Sequence, residues 1–171
     1  YAEKIRGLRD PFMETFNQPG PDKSCELRET STVAPQALTL LNAEEIQDRS
    51  LAMAARVLKF VKKDSHAIHW AFELTLGRHP SAAELELSLK HWAEATAEEA
   101  KKTYKPRQYV SHAKRTVMAE KTGEPYDFIE HMPAYENYQP DLQPHEADAR
   151  TRGLAQICLI LFNSNEFAYL D

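Results

Sequence analysis

The chain has 171 residues, 42% of them hydrophobic and 27% charged, which is the usage of an ordinary globular protein and excludes a disordered or fibrous chain. The 21 basic and 26 acidic residues leave a net charge of −5, so the overall positive field that neutralises phosphates is absent and nucleic acid is not an expected partner. The longest strongly apolar run, Leu154 to Phe162, falls short of the roughly 20 residues a helix needs to cross a hydrocarbon core, and no membrane span is expected.

Residues 1–32 read as an irregular arm, because Pro11, Pro19, Gly20 and Pro21 punctuate it and discourage long regular elements. Within it, Asp10 can cap and Pro11 can open a short helical turn to Phe16, which would put Phe12 and Phe16 on one face. Residues 33–102 read as the helical part. Thr32 is placed to cap a helix over Val33–Leu41, with Pro35 early enough to break no hydrogen bond and Asn42 at its end. From Ala43 to Val61, Ile46, Met53, Ala54, Val57 and Val61 recur at helical spacing, which predicts an amphipathic helix. A third helix is expected over Ser65–Leu76, ended by Gly77 in a left-handed cap. Ser81-Ala82-Ala83-Glu84 reads as a capping box. It opens a helix to about Lys102, with Leu85, Leu89 and Trp92 on its inner face and Glu98 toward water.

Residues 103–146 differ in texture. They hold Pro106, Pro125, Pro133, Pro140 and Pro144, together with Tyr104, Tyr109, Tyr126, Tyr135 and Tyr138. A stretch of this length with little regular structure is usually a binding excursion or a segment wrapped over a neighbouring domain. Arg115–Glu120 and Tyr126–Glu130 flank a Lys-Thr-Gly-Glu turn and are compatible with a small β-hairpin. The five tyrosines are the best candidates for a contact surface, since tyrosine joins apolar area to a polar tip; packing onto the chain's own core explains them equally well. Residues 147–171 complete the chain. A last helix over about His145–Phe162 is apolar almost all round at its end, which predicts a central position, and Phe167 and Tyr169 are expected to fold back as anchors.

Few residues suggest chemistry. His66 and His69 are three apart on a predicted helix, with Glu73 four further on, and are the weak metal candidates; two half-exposed surface histidines account for them better. His79, His91, His112, His131 and His145 are scattered. The five glycines form neither a nucleophile elbow nor a phosphate-cradling loop, so catalysis by these residues alone is not expected and no catalytic residue is assigned. The acidic pairs Glu44-Glu45 and Glu98-Glu99 read as solvated helix faces, since acid–base work would need burial or neighbours that shift their pKa values. Cys25 and Cys158 form neither a CxxC pair nor a CxxCH haem-attachment motif, and no cofactor is expected in this stretch.

Four motifs occur in order along the chain: Ser24-Cys25-Glu26-Leu27-Arg28, Ser31 to Asn42 (with Pro35-Gln36-Ala37-Leu38 before Leu40-Leu41-Asn42), Leu76-Gly77-Arg78-His79-Pro80, and Leu161-Phe162-Asn163-Ser164-Asn165-Glu166-Phe167. In these the sequence resembles planctomycete-specific domain one, a family without an established function, and it resembles the C-terminal portion of that domain. The family's members are typically large exported proteins that also carry a planctomycete cytochrome c domain and a second uncharacterised domain. The resemblance therefore implies a periplasmic or cell-envelope location, other domains of the same protein as partners, and haem only in a separate cytochrome domain. It carries over no catalytic residues. Cys25, Arg28, Pro35, Gln36, Asn42, Gly77, Arg78, Asn163, Asn165 and Glu166 bear the motifs, and caps, buried hydrogen bonds and charge-assisted bridges account for them. In an exported protein Cys25 and Cys158 could form a disulfide, although two thiols, with Cys158 as a small core residue, is the favoured reading.

The expectation is thus a mainly α fold, a compact bundle of five or six helices with an irregular N-terminal arm and a small hairpin in a long excursion. The expected function is a non-catalytic scaffold or interaction domain of a large exported, cytochrome-linked protein. The alternative is a share in a composite active site or glycan-binding cleft formed with an upstream domain, and glycan or another protein is the partner class to consider besides the parent's own domains.

Overall fold

The computed structural model describes residues 11–16 and 34–168. Among these the chain is mainly α, with helices α1 (Pro11–Thr15), α2 (Ala34–Asn42), α3 (Glu44–Phe60), α4 (Asp64–Leu76), α5 (Ala82–Glu99), α6 (Ala149–Phe162) and α7 (Asn165–Ala168), and strands β1 (His112–Met118) and β2 (Pro125–His131) between α5 and α6. Residues 1–10 and 17–33, with the caps and motifs expected at Asp10, Cys25, Arg28 and Thr32, lie outside the described residues, as does Tyr169.

Local chemistry sets the helix ends. Ser81 accepts from the Glu84 backbone N–H and the Glu84 carboxylate accepts from the Ser81 N–H, so the expected capping box is complete. Gly77 sits at φ 67°, the left-handed conformation in which a residue without Cβ is at ease. Asp148 caps α6 by accepting from the Thr151 N–H at 2.7 Å, so this helix starts four residues later than the apolar pattern suggests. Helix α5 ends at Glu99 rather than near Lys102, where the backbone tightens and the Lys102 N–H bonds to the Glu99 carbonyl. The fold exceeds the expected count by one short helix, α7, because the Ser164 hydroxyl accepts from the Phe167 N–H at 3.2 Å and starts another turn.

Helix α6 is central and packs most extensively against α3 and α5. Its Leu154, Ile157, Cys158 and Leu161 meet Leu51, Ala54 and Val57 of α3, Ala67, Ile68, Ala71 and Phe72 of α4, and Trp92 of α5 in one hydrophobic cluster. Helices α5 and α6 are in tight contact at Gly153, where an added Cβ would lie 2.9 Å from the Thr96 backbone nitrogen. The Trp92 indole N–H donates to the Arg150 carbonyl at 2.9 Å, which satisfies the one polar atom this buried ring brings into the core.

The two strands pair antiparallel, from His112 opposite His131 to Met118 opposite Pro125. They are longer than the segments expected, and the Ala119 N–H bonds to the Glu124 carbonyl across the turn, with Gly123 at φ 70°. Among the described residues neither strand approaches a helix.

Candidate functional site

The excursion is attached to the helical body at its two feet. Tyr104 and Arg107 stand on the outgoing foot, and Asp141, Gln143 and Pro144 on the returning one. At the centre is Glu99, the last residue of α5, whose side chain is 4% exposed. Lys102 and the Tyr104 hydroxyl donate to its two oxygens at 2.7 Å each, and Arg152 of α6 donates at 3.1 Å. Burial by itself pushes the Glu99 carboxyl up, but the bonds from Lys102, Tyr104 and Arg152 outweigh it and hold the group below the usual carboxylate range. The Tyr104 hydroxyl is pushed up by burial and by the neighbouring Glu99 charge.

Arg152 does more than neutralise Glu99. Its guanidinium also donates to the Glu99 carbonyl at 3.0 Å and to the Pro144 carbonyl at 3.1 Å, and it reaches the Ala147 carbonyl. It also lies over the Tyr104 ring, 5.0 Å from its centroid. In the same cleft Arg107 is held bidentately by Asp48 of α3 at 2.8 and 3.0 Å and by Glu44 at 2.7 Å. The hydrogen bond with Asp48 first, then one with Tyr109 and the charges of Asp48 and Glu44, raise the Arg107 pKa further against the effect of burial. The buried Gln143 side chain accepts from the Arg107 backbone N–H at 2.8 Å, so the two feet are bonded to each other. Arg49 pairs with Asp141 at the rim.

The cleft these groups line holds about 80 Å³, far below the roughly 300 Å³ at which small-molecule sites begin. Its charged side chains are occupied with one another, and among the described residues no buried side-chain nitrogen or oxygen lacks a partner. The geometry is that of an anchor. Sequence reasoning missed it, having assigned the Glu98-Glu99 pair to a solvated face; Glu98 does face solvent, paired with Lys101, whereas Glu99 is buried. The available signal was the run of Glu98-Glu99 into Lys101-Lys102 with a tyrosine two further on.

The five tyrosines fall into three places. Tyr104 belongs to the anchor. Tyr109, Tyr135 and Tyr138 cluster beneath the hairpin with ring centroids 4.8–5.8 Å apart. Tyr126 lies on β2 beside Phe128, 6.2 Å away. The hairpin exposes Met118, Tyr126, Phe128 and Ile129. Cross-strand pairing supports it internally: Arg115 to Glu130 at 2.8 Å, Lys114 to Asp127 at 2.6 Å, and the stacked rings of His112 and His131 at 4.6 Å. His131 reaches Glu136 at 2.8 Å.

The motif residues sit at joints. Arg78 donates to both oxygens of Glu166 on α7, at 2.6 and 2.8 Å, and to both oxygens of Glu84 at the start of α5, at 3.0 and 2.8 Å. These bonds hold Glu166 below the usual range and, with the capping-box bonds from Ser81, bring Glu84 down to about 2. Gln36 donates to the Thr15 carbonyl, Asn42 to the Leu38 carbonyl and Asn163 to the Leu159 carbonyl, at 3.0, 2.9 and 2.8 Å. Pro35 lies in the first turn of α2, and Asn165 opens α7. Cys158 is a free, buried thiol pushed up to about 12 by burial.

His66 and His69 both line a groove with Glu73 and His79, where the His69 and His79 rings meet edge to face at 5.4 Å. Among the described residues no three histidine, cysteine or carboxylate side chains are placed to hold a metal ion. Nor is any described helix long and apolar enough to cross a membrane.

No curated protein and no solved structure matches the chain. A family model does match, over residues 1–92; that stretch ends at Trp92 within α5, so it includes the anchor's Glu44 and Asp48 but stops short of Glu99, the excursion and α6. It covers more than half of the 171 residues, and the chain belongs to the family described as PSD1, protein of unknown function (DUF1553).

Proposed function

We propose that the chain is a non-catalytic interaction domain, which docks through its excursion onto another domain of the longer protein of which it is part. The observation that carries this reading is the contrast within the excursion. Its hairpin approaches no helix and leaves Met118, Tyr126, Phe128 and Ile129 to solvent, while its feet are locked to the body through Glu99, Arg107 and Arg152. A rigidly held, apolar, aromatic-bearing projection suits protein recognition, because little conformational entropy is lost when it docks.

By family resemblance, the partner would be an upstream domain of a large exported planctomycete protein, with haem and electron transfer in a separate cytochrome segment. The competing reading has Tyr, His and Arg side chains of the excursion complete an active site or glycan cleft with that upstream domain. It is supported less well, because the convergent charges at the excursion's base already pair with each other in a small cleft.

The test is a pull-down of the chain against the separately expressed neighbouring domains of its parent, repeated with residues 112–131 replaced by a short Gly-Ser bridge. Retention of a neighbouring domain by the intact chain and its loss with the bridged form is the expected result. If the intact chain retains none of them, the docking reading is wrong.

A further inference from the structure

The corner between α3 and α4 holds an arrangement for which interdomain docking has no use. Phe60, the last residue of α3, and Trp70 of α4 lie with ring centroids 6.4 Å apart and planes inclined by 26°. They are 65% and 43% exposed, whereas the other tryptophan, Trp92, is buried. Two large stacked rings thus leave apolar aromatic surface to solvent, outside the buried core.

The same rings line a groove of about 570 Å³ whose polar wall is formed by Lys62, Lys63, His66, His69, Glu73 and His79, a volume within the roughly 300–1,000 Å³ of small-molecule sites. Neither Lys62 nor Lys63 has an ion-pair partner among the described residues, whereas the adjacent Asp64 is taken by Arg150 at 2.6 Å. The wall therefore presents two uncommitted ammonium groups and three imidazoles against a single carboxylate, on a chain whose net charge is −5.

We infer that this groove binds an acidic oligosaccharide, one built from uronate units. A pyranose ring has an apolar C–H face that packs on an aromatic plane, and Phe60 with Trp70 supplies that plane. Its carboxylates would meet Lys62 and Lys63. Its hydroxyls, which both donate and accept, suit the imidazoles of His69 and His79 and the Glu73 carboxylate, groups that offer both donors and acceptors within one wall. Glu73 also separates this ligand from a polyphosphate: a carboxylate in the wall repels a phosphate but accepts from a hydroxyl. The acidic chain as a whole disfavours nucleic acid as well.

The experiment is isothermal titration calorimetry of the whole chain with hexamers of galacturonate, mannuronate and guluronate, and with a neutral hexasaccharide, galactohexaose, as the comparison. At least one uronate hexamer is expected to bind, more tightly than the neutral sugar and more weakly as salt is raised. Binding should be accompanied by a blue shift of the Trp70 emission while Trp92 stays shielded. Trp70→Ala and Phe60→Ala should each weaken binding by about tenfold, the scale of one lost aromatic contact, with the helical circular dichroism unchanged because both rings are outside the core. Lys62→Gln combined with Lys63→Gln should flatten the salt dependence. Failure of all three uronates to bind overturns the inference, as does equal binding of the neutral hexamer or uronate affinity left unchanged by Trp70→Ala. These outcomes are independent of the pull-down, which concerns the hairpin of the excursion.

Discussion

The helical body and the hairpin are held together by different means. In the body, α6 is covered by α3, α4 and α5, and side chains such as Ile68, Val57, Leu154 and Cys158 lose essentially all contact with water. In the hairpin the strands meet, among the described elements, only each other, and order comes from ladder hydrogen bonds and cross-strand pairs such as Arg115–Glu130 and Thr116–Asp127. An isolated two-stranded hairpin is marginal in water. That this one is carried on a buried ionic anchor fits the docking role proposed above.

Substitutions at the anchor should sharpen this comparison most. Arg152→Ala leaves the buried Glu99 carboxylate with Lys102 and Tyr104 alone and opens three backbone carbonyls. A loss of about 3–5 kcal/mol in urea unfolding is expected, the cost of breaking a buried pair from one side. Gly153→Ala should follow, at about 1–3 kcal/mol by the same measurement, because the new methyl meets Thr96 backbone atoms that cannot rotate away. Adding Thr96→Ala to it should restore only part of the loss.

Acid should act next, and on the body first. Glu99, Glu84 and Asp148 all hold protons less tightly in the folded chain than in the free side chain. Each therefore contributes stability that is complete above its ordinary pKa and is lost as pH falls through the folded value. For Glu84 that window runs from the ordinary 4.5 down to about 2. Thermal unfolding followed by circular dichroism should show a melting temperature that is level at neutral pH and declines steadily below pH 4.5. A decline beginning well above that value would contradict the pairing described.

The smallest effect belongs to the hairpin's own apolar residues. Ile129→Ser and Met118→Ser should change stability by no more than about 0.5 kcal/mol, as expected of exposed sites, yet weaken capture of the neighbouring domain in the pull-down. A large loss of stability from either would mean that the hairpin packs on the body after all.

The body was readable because its signals are local. Ser81 with Glu84, Gly77 before Pro80, and the Leu154–Leu161 run each specify an element through contacts within a few residues. The anchor was not readable, because Glu99 meets Arg152 across 53 positions and Arg107 meets Asp48 across 59, and no periodicity marks such pairs. Residues with one sequence label also met different fates. Tyr104 is tied to a buried carboxylate while Tyr126 faces solvent, and only the path of the chain distinguishes them. Ser50 shows the same limit from the other side: it is buried on the face of α3 that the apolar pattern had assigned without it, its hydroxyl turned back to the Ile46 carbonyl at 2.8 Å.

The hydrogen bond from Arg107 to Gln143 joins points 36 positions apart in sequence, so the excursion leaves the body and returns at nearly the same place. A loop whose ends are already closed can be lengthened, shortened or exchanged at an entropic cost that grows only slowly with its length. The body would then serve as a constant frame for an excursion free to vary, and the divergence expected between relatives is concentrated between residues 108 and 142 while the helices that carry it stay recognisable.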